Sequence, residues 1–313
     1  MFLKTVMERN QPLVRLGIEW QQNGVILPDT YLLDYDTILE NARSIKQAGD
    51  ANGVQNFFML KQIGRNPLIA RALTDMGYVG AVCVDFREAL TMVENQIPLG
   101  NVGHLVQIPR AALKKILRAK PVIVTVYTLE KAREISAVCT ELGLHQELML
   151  RVLGEGDMLY SGQYGGFELQ ELDSAVRAIE AMPNVEVGGV CSFPCFLYDE
   201  AAQDILPMPN LRTVQTAAEM LRARGYRDLM LNTPSATCTH SIPMIAAAGV
   251  SILITAFWND AVSFMSTKWD SIVIFVVAVW LLKKKNWNPI LVMVLSGFAK
   301  LAVQGVLALV GIV

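Results

Sequence analysis

The feature that most constrains this chain is an alternation running from Phe57 to Asn232. Short apolar runs alternate there with amphipathic helical stretches of about ten to fifteen residues. The apolar runs are FFMLK (57–61), GAVCVD (80–85), VGHLVQI (102–108), VIVTVYT (122–128), QELMLRVLG (146–154), VEVGGVCSF (185–193) and RDLMLN (227–232). A short run of this kind, bounded by turn residues, reads as a strand buried on both faces. The stretches between them, among them PLIARALTDMG, RAALKKILRAK and LRTVQTAAEMLRARG, carry apolar residues at helical spacing. Strands joined by helices imply right-handed crossovers and a parallel sheet. Seven consecutive units favour a (β/α) barrel of the TIM type over a doubly wound sheet, with the eighth strand missing.

Before the first strand, residues 1–25 read as a lead-in helix. TYLLDYDTILENARSIKQAG then offers a short extended piece and a helix that Asp36 can cap. The N-terminus is too polar for a secretory signal. Lys61 ends the first apolar run. In a parallel α/β fold that position is the mouth where chemistry is done, although a lysine that merely ends a strand and points into water is the plainer reading.

Composition excludes several functions. The formal net charge is −2, which gives no electrostatic reason to expect nucleic acid. The five cysteines are scattered and odd in number, which suits a reducing cytosol. The three histidines, His104, His145 and His240, form no ligand cluster with them, so no metal site is expected. Cys191 and Cys195 read as small buried residues.

Several ordered motifs carry a family resemblance. TYLLDYDTILENARSI, with Asn41, is similar to the entry strand and helix of the alanine racemase superfamily, the pyridoxal-phosphate enzymes of fold type III. FFMLK resembles that family's first barrel strand with its cofactor lysine, and ARALTDMGYVGAVCVDFREAL resembles the next helix, strand and helix start. More narrowly, residues 28–249 resemble the YhfX-type branch. The resemblance implies pyridoxal 5'-phosphate as cofactor, Lys61 as the Schiff-base lysine and an amino acid or other amine as substrate. It also implies racemase- or epimerase-like chemistry at the α-proton. Burial should lower the pKa of Lys61 so that it reacts as a neutral amine. The loop TPSATCTHS (233–241) would take the phosphate through Ser235, Ala236 and Thr237, with Thr239 and His240 nearby, although an ordinary capped turn has the same composition.

The chain departs from the family at three places. QIGRNP follows Lys61 in place of a tyrosine and a Gly-His pair. The fifth strand carries Arg151, with Gln163 or Tyr164 beyond it, in place of an arginine before Leu-Gly. On the sixth strand CSFPCF puts Ser192 or Phe193 at the position of a ring-stacking histidine. Phe193 can stack but carries no proton. The expected cofactor contacts are therefore Lys61, Arg151, Ser192, Phe193, Ser235, Ala236 and Thr237. Lys61 is the clear catalytic candidate, with Tyr164 or Tyr160 as proton carriers.

At Val250 the pattern changes. SIVIFVVAVWLL (271–282) and the run 290–313 are apolar and flank the basic turn KKKNWNP; 243–258 is a further apolar run. This tail resembles the closing hairpin of chromate transporters. Two domains are thus expected, an incomplete barrel over 1–249 and membrane-spanning helices over 250–313. The barrel would lie in the cytoplasm, anchored to the cytoplasmic membrane. The junction reads as a fusion. A barrel that lacks its last strand leaves unpaired edges, so weak stability and impaired activity are expected unless a second chain completes it. Two other functions stay open: a membrane transport component carrying the barrel as a passenger, and a protein that holds the cofactor without turnover.

Overall fold

A computed structural model describes residues 2–248 and the single residue Val277. Residues 1–246 form the first of two compact units. Its N-terminal stretch is two helices, not one: α1 (Phe2–Arg9) and α2 (Gln11–Gln22). Asn10 separates them because its side chain caps α2, accepting from the Leu13 amide at 3.3 Å, and Pro12 suits the first turn. The next helix, α3 (Tyr35–Ala51), is capped by Asp34 and not by Asp36. Asp34 accepts from Thr37 N at 3.0 Å and from Asn10 Nδ2 at 2.7 Å, which ties α3 to the start of α2. These hydrogen bonds hold its carboxyl below the usual range.

Helices and strands then alternate as the pattern requires. They run α4 (Pro67–Asp75), β1 (Ala81–Cys83), α5 (Phe86–Glu94), β2 (Leu99–Val102), α6 (Arg110–Arg118), β3 (Ile123–Val126), α7 (Leu129–Leu142) and β4 (Gln146–Leu153). After them come β5 (Phe167–Glu168), α8 (Leu172–Glu180), β6 (Val185–Cys191), a hairpin of β7 (Phe196–Asp199) and β8 (Asp204–Pro207), α9 (Pro209–Ala223) and β9 (Met230–Asn232). Residues 242–248 are helical. Local chemistry sets the helix starts: Asn66 caps α4 ahead of Pro67, Asp85 caps α5, and Thr128 caps α7, which Gly143 ends in the left-handed conformation.

The main sheet runs β1-β2-β3-β4-β6-β9, with β5 alongside β4, and every pair in it is parallel. The strand order follows the chain without reversal. A doubly wound sheet reverses its order at a switch point, so this is a parallel α/β half-barrel. FFMLK contributes a single bridge, Phe58 to Ala81, before the chain turns into a short 3-10 helix at Lys61–Ile63. Phe58 N donates to Gly80 O at 3.1 Å, and Val82 N donates to Phe58 O at 2.7 Å. The first apolar run thus lies where a first strand belongs, at the β1 edge.

The third strand sits earlier than its apolar run suggests, at 99–102 and not 102–108. Gly103, at φ +90°, ends it. Gln107 Nε2 reaches back to donate to Gly103 O at 2.8 Å and to Thr125 O at 3.0 Å, so GHLVQI forms a cover over the strand ends. No strand follows β9 among the described residues. Likewise, no described helix is long and apolar enough to cross a membrane. The spans and the chromate-transporter-like hairpin expected after Val250 lie outside the described residues.

Candidate active site

Because the strands are parallel, their C-terminal ends share one rim. Lys61, His104, Tyr127, Phe193 and the 233–241 loop all lie just beyond those ends, and Arg151 is two residues before the end of β4. Lys61 is exposed, not buried as expected, since its strand has already given way to a turn. Behind it stands Glu88, almost wholly buried. Its carboxylate accepts from Val84 N at 2.8 Å and is further stabilised by the Leu60 amide, yet burial raises its pKa. Glu88 thereby fastens the residue before Lys61 to the end of β1.

Arg151 is only 1% exposed. Nη1 donates to Tyr127 Oη at 3.2 Å and Nη2 donates to Gln163 O at 3.0 Å, while Nε has no partner. The guanidinium carbon lies 5.2 Å from the centre of the Tyr127 ring. Tyr127 donates its hydroxyl proton to His104 O. Burial keeps that phenol protonated, raising its pKa. His104 is itself 4% exposed, with Nδ1 unpartnered. Its pKa falls to about 4, first through burial and then through the charges of Arg151 and Lys61. The imidazole is therefore neutral near pH 7, and both cations lie close enough to act on it.

Phe193 packs edge-on to His104, with ring centres 5.6 Å apart, and lies 5.3 Å from the Tyr160 ring. Tyr160 is thus the loop tyrosine held at the site, whereas Tyr164 is 63% exposed. Gly165 lets the glycine-rich loop close on Tyr127, since a Cβ there would lie 2.8 Å from Tyr127 Cδ2.

Ser192 is turned away into a buried network. It accepts from Asn210 Nδ2 at 3.0 Å and donates to Asp157 Oδ2 at 3.4 Å. Asp157 also accepts from Gly154 N at 2.9 Å and Thr213 Oγ1 at 2.7 Å. Asn210 brackets Met158, accepting from its N–H at 3.0 Å and donating to its carbonyl at 3.1 Å. The base of the glycine-rich loop is therefore bolted to β6 and α9.

In the 233–241 loop, Ser241 Oγ donates to Ala236 O at 2.7 Å and accepts from Cys238 N at 2.9 Å. Ala236 is left-handed, at φ 50°, and Cys195 N donates to Pro234 O, which joins this loop to the one after β6. Ser235 Oγ is buried and has no partner, while Thr237 is exposed. His240 pairs with Asp204 of the hairpin at 2.8 Å, so it serves the hairpin and not the loop's interior. Among the described residues no three His, Cys, Asp or Glu side chains are grouped to hold a metal.

Sequence reasoning missed His104, Tyr127, Asp157 and Asn210. His104 was hidden by the misplaced third strand, which put it inside a run when it stands just past the end of one.

A family model described as the N-terminal domain of alanine racemase matches residues 33–253, a stretch that takes in every site residue named above. The uncharacterized protein YhfX of Escherichia coli (strain K12) is 38% identical over 251 residues, covering 80% of this chain and 65% of that protein. D-threonine aldolase from Filomicrobium marinum aligns with a TM-score of 0.50 at 19% identity, over 70% of this chain and 58% of that one. Diaminopimelate decarboxylase from M. jannaschii, in co-complex with L-lysine, aligns at 0.51 and 16% identity, over 70% and 55%. At such identities the two structures show the fold alone. The chain spans less than two thirds of each of these relatives.

Proposed function

The chain belongs to the alanine racemase N-terminal domain family, and on that premise we propose that it is a pyridoxal-phosphate-dependent enzyme acting at the α-carbon of an amino acid. The observation that carries this reading is the grouping at the rim: Lys61 and Arg151 both act on a buried, neutral His104 beyond the ends of parallel strands.

The residues present fit the cofactor. The buried Ser235 hydroxyl lacks a partner, in a small polar loop on the same rim, and suits a phosphate oxygen. Ala236 and Thr237 continue that loop. Phe193 offers an aromatic face, held in place between His104 and Tyr160. Lys61 is the amine that would hold the cofactor's aldehyde, and its side chain stands exposed at the rim, where it would move a proton at a substrate carbon. When bound, the cofactor supplies an electron sink for charge developing at the α-carbon. His104, neutral and buried, helps keep water from that side of the site. Ser192, committed to Asp157 and Asn210, supports the glycine-rich loop.

The test uses the full chain with added pyridoxal phosphate. A chromophore near the visible, fixed by borohydride and mapped to a peptide containing Lys61, is the expected result. A Lys61→Ala protein that keeps the same absorbance overturns the assignment. Exchange of the α-proton of an added amino acid in deuterated buffer separates turnover from binding without turnover.

A further inference from the structure

The sheet does not by itself fix where Lys61 stands. FFMLK pairs with it at one bridge, Phe58 to Ala81, and the chain has turned out of the strand by Lys61. Both ends of that turn are tied instead to the first turn of α5. On the near side, the Leu60 amide stabilises the Glu88 carboxylate, which also accepts from Val84 N at 2.8 Å. On the far side, Arg65 Nη2 donates to Asp85 Oδ2 at 3.1 Å. Asp85 and Glu88 are joined in turn, because Asp85 Oδ1 caps α5 by accepting from Glu88 N at 2.8 Å. Leu60 O closes the segment, accepting from Ile63 N at 3.1 Å and from Arg65 N at 3.0 Å. Between the two ties the chain passes through two left-handed residues, Gly64 at φ +73° and Arg65 at φ +57°. The second is uncommon for a residue with a side chain of that size.

An acid three residues after a capping side chain is common at helix starts, where it reaches back to the cap's own amide. Glu88 does something else. It is 1% exposed, and it reaches past Asp85 to Val84 and across to the residue before Lys61. Burial raises its pKa, against the two amides and Arg65, which favour the carboxylate. A neutral group would therefore suit the fold better there, and a buried charge kept at that cost points to a use beyond stability. We infer that Glu88, Asp85 and Arg65 are positioning residues for Lys61: they fix the segment 60–65 against α5, so that the amine is held at the rim and not carried on a free turn. The inference rests on the cofactor reading above and identifies what supports the residue that would hold the cofactor. A reacting group is only as well placed as the residues that lock it. Here the lock comes from a helix start, in place of the strand pairing that FFMLK lacks.

The experiment compares Glu88→Gln, Arg65→Gln and Arg65→Lys with the unmutated full chain. Glutamine keeps the size of Glu88 but has one acceptor oxygen in place of two and turns donors toward donors. Two readouts are taken: the borohydride-fixed adduct at Lys61 as pyridoxal phosphate is titrated, and hydrogen exchange of the peptide 58–66 with no pyridoxal phosphate added. Glu88→Gln and Arg65→Gln should each raise the concentration for half-loading at least about tenfold, since a hydrogen bond to a charged group is worth about that factor. Exchange over 58–66 should quicken in both, while exchange in β3 and β4 stays as in the parent. Arg65→Lys keeps a cation for Asp85 and should recover most of the loading. Parent-like loading in either glutamine variant overturns the inference. If Glu88→Gln also quickens exchange in β3 and β4, its loss is structural, and the partly exposed Arg65 decides: a tenfold loss in Arg65→Gln that Arg65→Lys restores upholds the inference, and parent-like loading, or a loss that lysine does not restore, overturns it. Absence of any adduct at Lys61 in the unmutated chain overturns the cofactor reading instead; the exchange of 58–66 then decides whether the ties hold the turn, and unchanged exchange in both glutamine variants shows that they do not.

Discussion

Replacing Asn210 with alanine should unbolt the loop that covers the site. The side chain is fully buried in the first turn of α9 and makes three hydrogen bonds: from Met158 N at 3.0 Å, to Met158 O at 3.1 Å and to Ser192 Oγ at 3.0 Å. Each is a neutral bond worth about 1 kcal/mol net, and an orphaned buried group costs about 1–3 kcal/mol. Met158 lies in a half-buried loop, so water can reach some of what is left. The expected loss is therefore about 2–3 kcal/mol, below the full sum of orphaned groups. For a unit of this size that lowers the melting temperature by about 4–12 °C. Asn210→Asp should be no better at pH 7. It keeps the acceptor for Met158 N but loses both donations and adds a carboxylate to a network that already holds Asp157. Urea unfolding followed by far-ultraviolet circular dichroism gives the stability, and limited proteolysis between residues 154 and 166 reports the loop. An Asn210→Ala protein within about 0.5 kcal/mol of the parent, with unchanged cleavage, would refute the claim that this asparagine carries the loop, since surface-type substitutions move stability by no more than that.

Two further outcomes are expected, one from core packing and one from a buried imidazole. Gly100→Ala should destabilise by about 2 kcal/mol, because its Cβ would meet Phe57 at Cδ1 and lie 2.8 Å from Cε1; a Gly100→Ala protein within about 0.5 kcal/mol of the parent in chemical denaturation would show that the Phe57 ring moves aside at little cost. Stability should also fall as pH drops from about 6.5 to about 4. In that window unfolded His104 takes a proton and the folded residue, depressed first by burial, does not. The loss by pH 4 is about 3 kcal/mol, and urea midpoints at pH 7 and pH 4.5 should differ less in His104→Gln, while an unchanged slope in that variant would place the dependence elsewhere.

What the sequence made legible was periodicity. Burial on both faces writes itself as runs such as VIVTVYT and VEVGGVCSF, and those strands lie within about two residues of the expected place. The third strand was misread because its residues, LGNV, look like a turn. Gly100 is there to admit the Phe57 ring and Asn101 to accept from Thr125 Oγ1 at 2.8 Å, and neither contact is visible in a window of ten residues. Asp34 displaced Asp36 as the cap for a similar reason, since its second partner, Asn10, is 24 residues away. The antiparallel hairpin of β7 and β8 was missed because FLYD and DILP are short and mixed, and their stability comes from pairing with each other. At the site, Lys61 could be placed from the end of its apolar run, and Arg151 and Phe193 from the family resemblance of their strands. His104, Tyr127 and Asn210 could not, because their roles depend on which strands are neighbours.

That dependence also explains why so much of the site stands within the first two thirds of the chain. In a parallel sheet whose order follows the sequence, position along the rim is set by strand number. Arg151 on β4, His104 after β2 and Tyr127 after β3 are therefore within reach of each other with no long-range closure. Lys61 and the 233–241 loop are the two exceptions. They leave the same rim at opposite edges of the sheet, one from the Phe58 bridge and the other from β9. The grouping of Arg151, Tyr127 and His104 therefore needs only local packing to exist, whereas joint use of Lys61 and Ser235 needs the sheet to curve its two edges together. Perturbing the β9 edge should accordingly leave the Arg151–Tyr127–His104 contacts in place, because the two halves of the site depend on different contacts.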